Sequence, residues 1–223
     1  MIYFLIFILE LGLLFYLSKK LINTLAGLIY KIFKTHSAVV HTLAIIFLPG
    51  TIIHELSHLL VAGVLFIPVG ELSVLPEIEE KGVKLGSVQI GHSDPLRRII
   101  VGVAPVLVGI LSIIGILYFI HTGNSFIWWQ AILALYLVFE IGNTMFSSRK
   151  DLEGIIGFSA ILLVGLLALG ILYSLRPLLI QNIWISLNRS DLTGVLNFFK
   201  QAVIYLGVPL ALDLIMILGV KLT

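Results

Sequence analysis

The chain has 223 residues, 59% hydrophobic and 12% charged, with a formal net charge of +2 and no cysteine. A soluble domain carries about a quarter charged residues, so this chain cannot cover itself with polar surface and needs a lipid bilayer as its main solvent. The small charge and the lack of a basic run with interleaved aromatics exclude a nucleic-acid partner, and the lack of cysteine leaves imidazole and carboxylate as the side chains for any metal.

Taken in chain order, about six apolar stretches are long enough to span a bilayer. The first, 2–17, lacks the basic start and small-residue cleavage site of a signal peptide and reads as a permanent span. Lys19-Lys20 closes it, and the mixed segment 21–34 reads as lying along the interface. The second stretch, 39–66, is interrupted by Pro49-Gly50, which predicts a kink or a helix restart. Val69-Gly-Glu-Leu-Ser-Val-Leu and Val83-Lys-Leu-Gly-Ser-Val-Gln-Ile follow, separated by Glu79-Glu80-Lys81-Gly82. Their alternating or β-branched character predicts a β-hairpin or short sheet at the membrane surface. Further spans are expected over 99–120, 127–146, 152–175 and 202–220, the fourth opened by Trp128 and Trp129 as an aromatic belt would place them. Residues 176–200 read as a mixed loop or interfacial amphipathic helix, and Asn188-Arg-Ser190 fits a glycosylation sequon.

The predicted fold is thus an all-α polytopic membrane protein, one domain over 1–223, with a small β-hairpin between the second and third spans. Lys and Arg divide about equally between the two faces, so the positive-inside rule does not choose an orientation.

The second stretch contains Thr51-Ile-Ile-His-Glu-Leu-Ser-His-Leu-Leu60. His54 and His58, four residues apart, share one helix face, and Glu55 stands about a quarter turn away. His54-Glu55-x-x-His58 is the spacing of a zinc hydrolase: two ring nitrogens for one ion, and a carboxylate that reaches a water without being a ligand. Ionisable groups at membrane depth are costly and mark functional sites; a buried polar network joining helices is the bland alternative.

A catalytic zinc takes about three protein ligands and leaves one position open. Val64 occupies the place of a third histidine six residues on. Glu77, Glu79 and Glu80 lie in a charged turn, and His92 and Asp94 in Gly91-His-Ser-Asp-Pro95, where Asp94 is suited to capping the turn. Asp151 is the best-placed candidate, because the end of the fourth span approaches the same face as the end of the second. A carboxylate favoured by the helix dipole of the fifth span is the alternative for Asp151.

Residues 50–154 resemble the site-2 protease class of intramembrane zinc metalloproteases. His54-Glu-Leu-Ser-His58 matches the helix motif of that class, Val69-Gly-Glu-Leu-Ser-Val resembles the strand that follows it, and Asn143 with Asp151 resembles its second motif. The chain departs from it between Asn143 and Asp151, where Phe146 and Ser148 stand in place of prolines, and at Gly154, three residues after the Asp rather than next to it. The resemblance implies His54, His58 and Asp151 as Zn2+ ligands, Glu55 as catalytic base and Asn143 as an amide that orients substrate or oxyanion. It also implies a membrane-protein or peptide substrate, and a site nearer the cytosolic face of the cell membrane.

Among the other polar residues in apolar runs, Glu140 shares a helix face with Asn143 and is expected either beside the site or paired with a neighbouring helix. Glu10 and Asp213 read as interhelical partners or pore-facing groups, His121 as interfacial, and His41 as too far from His54 to join it. Gly102-Val-Ala-Pro-Val-Leu-Val-Gly109 suggests close helix packing. The expected activity is zinc-dependent peptide hydrolysis in or beside the bilayer; the alternative is a non-catalytic membrane protein, either a metal transporter or a zinc-binding scaffold.

Overall fold

The computed structural model describes residues 2–73, 77–79, 82–84, 86–123, 127–146, 149–175 and 193–222. The described residues are mostly helical: α1 (Ile2–Phe33), α2 (His36–Ile46), α3 (Leu48–Val64), α4 (Pro95–Thr122), α5 (Trp128–Thr144), α6 (Arg149–Leu175) and α7 (Thr193–Leu222). Between α3 and α4 lie β1 (Val69–Ser73), β2 (Glu77–Glu79), β3 (Gly82–Lys84) and β4 (Ser87–Ile90). β1 pairs with β4 and β2 with β3, both antiparallel, with a bulge between Val69 and Leu72. The expected hairpin is therefore present. The sequon at Asn188 lies outside the described residues.

Among the described residues, three helices, α1, α4 and α7, are long and apolar enough to cross a membrane, and α2 with α3 makes a fourth candidate bent by 70°. The bend is where Pro49 predicts it. Proline has no N–H and its ring crowds the carbonyl one turn back, so α2 closes at Phe47 (N–H to Leu43 O, 2.9 Å) and α3 starts at Leu48. α3 ends as locally. Phe66 adopts a left-handed φ of 55°, and Ile67 N–H reaches Ala62 O at 2.9 Å. This six-to-one closure satisfies a terminal carbonyl, and Ile67 packs with Ala62 and Val101. α4 begins at Asp94, whose Oδ1 accepts from Arg97 N–H at 3.0 Å, with Pro95 next in the chain; the capping role expected of Asp94 is what the structure shows.

Two expectations are corrected. α1 does not stop at Lys19-Lys20 but continues to Phe33. Both lysines fold their stems back along the helix, Lys19 Nζ 4.4 Å from the Phe15 ring centroid and Lys20 Nζ 5.5 Å from that of Tyr16. The chain can thus leave the apolar layer without leaving the helix. The direction of the last helix also differs from that of a six-span bundle. Phe7 packs on Phe199 (centroids 5.5 Å apart), Leu14 lies beside the Gly142–Pro209 contact, and Ser18 and Asp213 both bond to Asn143. α1 and α7 are therefore parallel, whereas the first and last of six full crossings are antiparallel. The reason lies at α5 and α6. α5 follows α4 in the chain and runs back along it, bringing Met145 and Ile141 against Gly109. α6 also runs against α4, with Gly154 on Gly102 and Gly157 on Ile99. The stretches expected as two opposed spans share one direction.

The core forms between α1, α2, α4, α5 and α7. Leu14, Leu17, Leu21 and Leu25 supply the α1 stripe, and Ile113, Val138, Met145 and Leu206 close it. α3 lies beside this core, held by α4, α5 and the hairpin.

Candidate functional site

The buried face of α3 consists of Gly50, Thr51, His54, Glu55, Ser57, His58 and Ala62. This is one helical stripe, but its side chains are mostly polar, which lipid does not favour without a partner. The two imidazoles sit one turn apart, edge to face, with centroids 4.9 Å apart and planes at 84°.

His58 is oriented by α4. Its Nδ1 lies 2.9 Å from Val101 O. A carbonyl only accepts, so Nδ1 carries a proton, and Nε2 is the ring nitrogen left for any other partner. Val101 is available for a local reason. Pro105, inside α4, stands four residues later and has no N–H to give the Val101 carbonyl. The acceptor that Pro105 releases from its own helix is the one that fixes the His58 tautomer. A ring N–H held by a backbone carbonyl is the usual second partner of a metal-ligating histidine.

Glu55 meets the hairpin. A Cβ on Gly86, just before β4, would come within 3.1 Å of Glu55 Cγ and Oε1 and 2.8 Å of Thr51 Cγ2. The hairpin backbone thus lies against the carboxylate. Nothing in the sequence marked Gly86 apart from its being glycine in a strand-like run.

The start of α3 is gripped by α5. A Cβ on Gly50 would stand 2.6 Å from Glu140 O and from Thr144 Oγ1. Glu140 is fully buried, and its Oε2 accepts from Gly50 N–H at 3.4 Å. The first N–H groups of a helix lack intrahelical acceptors and attract negative charge. Glu140 thus pairs with a neighbouring helix, at the turn before His54. Arg97 holds the other end of α3, Nη1 donating to Leu65 O at 3.3 Å.

Asp151 lies in the first turn of α6; its side chain is outside the described ones. The helix registers place its backbone. On α3, His58 faces Val101; on α6, Gly154 meets Gly102, and both helices run against α4. One turn back from His58 is His54, and nearly one turn back from Gly154 is Asp151, so both stand at the same height along α4. The side chains of Glu77 and Glu79, and all of Glu80, are likewise outside the description, while His92 and Asp94 are exposed. Among the described residues, no three His, Asp or Glu side chains gather as a metal site.

Asn143 is committed elsewhere. Its Nδ2 donates to Phe139 O at 2.9 Å and to Asp213 Oδ1 at 2.7 Å. Its backbone carbonyl accepts from Ser18 Oγ at 2.8 Å. A substrate-orienting role would require one of the amide bonds to exchange. Asp213 is the interhelical partner it was expected to be. His41 bonds back to Ser37 O at 2.7 Å, and His121 is exposed near the end of α4.

No family model, no curated protein and no solved structure matches this chain.

Proposed function

We propose that the chain is a membrane-embedded zinc metallopeptidase acting on membrane-protein or peptide substrates in or beside the bilayer. The observation that carries this is the buried pair His54 and His58, with His58 locked by Val101 into the tautomer that presents Nε2, beside a buried Glu55. His54 Nε2 or Nδ1, His58 Nε2 and a carboxylate of Asp151 would hold the ion, a nitrogen and oxygen set that suits zinc. Zinc, when bound there, lowers the pKa of water and polarises a carbonyl. Glu55 takes the proton from the attacking water and passes it to the leaving amine nitrogen. Its place under Gly86 shields it from bulk water and brings the hairpin to the reacting bond. A substrate segment must be extended to expose its carbonyls, and adding to the hairpin edge would hold it so.

On this reading α1, the bent α2–α3 pair, α4, the α5–α6 pair and α7 make five passages. The protein resides in the cell membrane, with the hairpin and site towards the cytosolic face. The test is metal content and cleavage of a membrane substrate in liposomes by wild type, Glu55→Gln and Asp151→Ala. Glu55→Gln should keep zinc and lose turnover; Asp151→Ala should lose zinc affinity. A Glu55→Gln protein as active as wild type overturns the reading. Zinc flux without cleavage would instead assign metal transport.

A further inference from the structure

We propose that Asn143 and Asp213 form a buried binding site for a small hard monovalent cation, sodium, in the seam between α1, α5 and α7. The proposal does not depend on the zinc site. Asp213 is 0% and Asn143 1% exposed. The Asn143 amide is locked, because its two N–H groups go to Phe139 O and Asp213 Oδ1. What remains are acceptors with nothing to accept: Asn143 Oδ1 and Asp213 Oδ2 are both buried without a hydrogen-bond donor. Glu140 Oε1, one turn earlier on α5, is a third such oxygen. Among the described residues no Lys, Arg or His is seen in an ion pair with Asp213 or Glu140.

Acceptor oxygens repel one another in a medium of low dielectric, and a carboxylate at membrane depth needs a positive partner. A cation answers both needs. Carboxylate, amide and carbonyl oxygens are hard donors that suit alkali and alkaline-earth ions rather than zinc. Asp213 is the carboxylate in contact with Asn143, while Glu140 is engaged at the start of α3, so a single positive charge balances the site. Ser18 supports it by donating to the backbone carbonyl of Asn143, which fixes α5 against α1 where α7 meets both.

The test is thermal unfolding of the full chain in detergent, in sodium, potassium, lithium or choline chloride at constant ionic strength. It is repeated at neutral and alkaline pH and paired with direct binding of radioactive sodium. Sodium should bind saturably at one ion per chain. It should also raise Tm by about 3–6 °C over choline when tenfold above its Kd. Asp213→Asn should abolish both effects. Direct binding to wild type decides the matter even if that variant does not fold. Equal Tm in sodium and choline at both pH values, with no bound sodium, overturns the proposal. So does a response to pH alone, which would make the occupant a proton, and so does a sodium effect that survives Asp213→Asn.

Discussion

Pro105 separates the two demands placed on α4. Pro105→Ala gives the helix back an N–H four residues after Val101, aimed at the carbonyl that now accepts from His58 at 2.9 Å. In a helix interior alanine is favoured over proline by up to about 3 kcal/mol. Membrane helices tolerate proline by re-satisfying the freed carbonyl, here through His58, so the net gain should be smaller, on the order of 1–2 kcal/mol. Tm should rise by about 2–4 °C per kcal/mol for a domain of this size. The histidine should lose at the same time. Loss of an orienting partner typically weakens metal binding about 10–100-fold, or roughly 1.4–2.7 kcal/mol at 1.36 kcal/mol per decade. The variant should therefore be more heat-stable and bind zinc more weakly, a pairing that ordinary damage to packing does not produce. Competition with a chromophoric chelator in detergent measures the affinity, and a thermal scan without metal measures the stability. A carbonyl has two lone pairs. If Val101 accepts from the restored helix N–H and from His58 together, zinc affinity will match wild type, and the idea that proline reserves this acceptor fails.

Gly154→Ala places a Cβ 2.7 Å from the Cα and carbonyl carbon of Gly102. Carbon atoms need about 3.5–4 Å, so α6 must move by roughly 1 Å, several times the about 0.2 Å that metal–ligand distances tolerate. Zinc affinity should drop and stability should fall by about 1–3 kcal/mol. Gly115→Ala, with nothing within 4 Å, is the control and should do neither. Gly86→Ala crowds Glu55 and Thr51 through side-chain atoms only; turnover should fall with zinc content unchanged, as metal analysis and cleavage assays would show. Asp94→Ala removes the α4 cap and should cost about 1 kcal/mol without changing zinc binding, whereas loss of zinc would restore Asp94 as a ligand candidate. Reporter tags at the two ends of these 223 residues should report opposite faces of the membrane if there are five passages; the same face for both would return the six-span topology.

Much of the site helix could be read from the sequence because its signals are local. The spacing of His54, Glu55 and His58 needs only the pitch of a helix, the restart before it needs only Pro49, and the cap at Asp94 needs only the residues that follow it. The hairpin was legible for the same reason, since alternation and a charged turn are properties of neighbours. Pro105 was visible too, within a run that suggested close packing. Its consequence was not, because the donor that fills the freed carbonyl lies 43 residues away on another helix. Gly86 and Gly154 were equally silent: what makes them glycine is another segment's backbone or side chain, and hydropathy carries no trace of that contact.

The number of passages is harder to read from the sequence. Apolar length says that a segment can sit in lipid but not in which direction it runs, so 127–146 and 152–175 each read as a full crossing. Direction comes from paired contacts at two heights. Phe7 with Phe199 and Ser18 with Asp213, through Asn143, set α1 and α7 side by side and parallel. On the five-passage reading, α5 and α6 together return the chain once. α5 then ends well inside the fold, level with Gly109 of α4, and α6 begins at Arg149. A helix that ends at that depth leaves carbonyls without intrahelical donors, and in lipid these are tolerated where protein or a wet cavity surrounds them. The end of α5 at the level of Gly109 therefore argues for polar surroundings at that height.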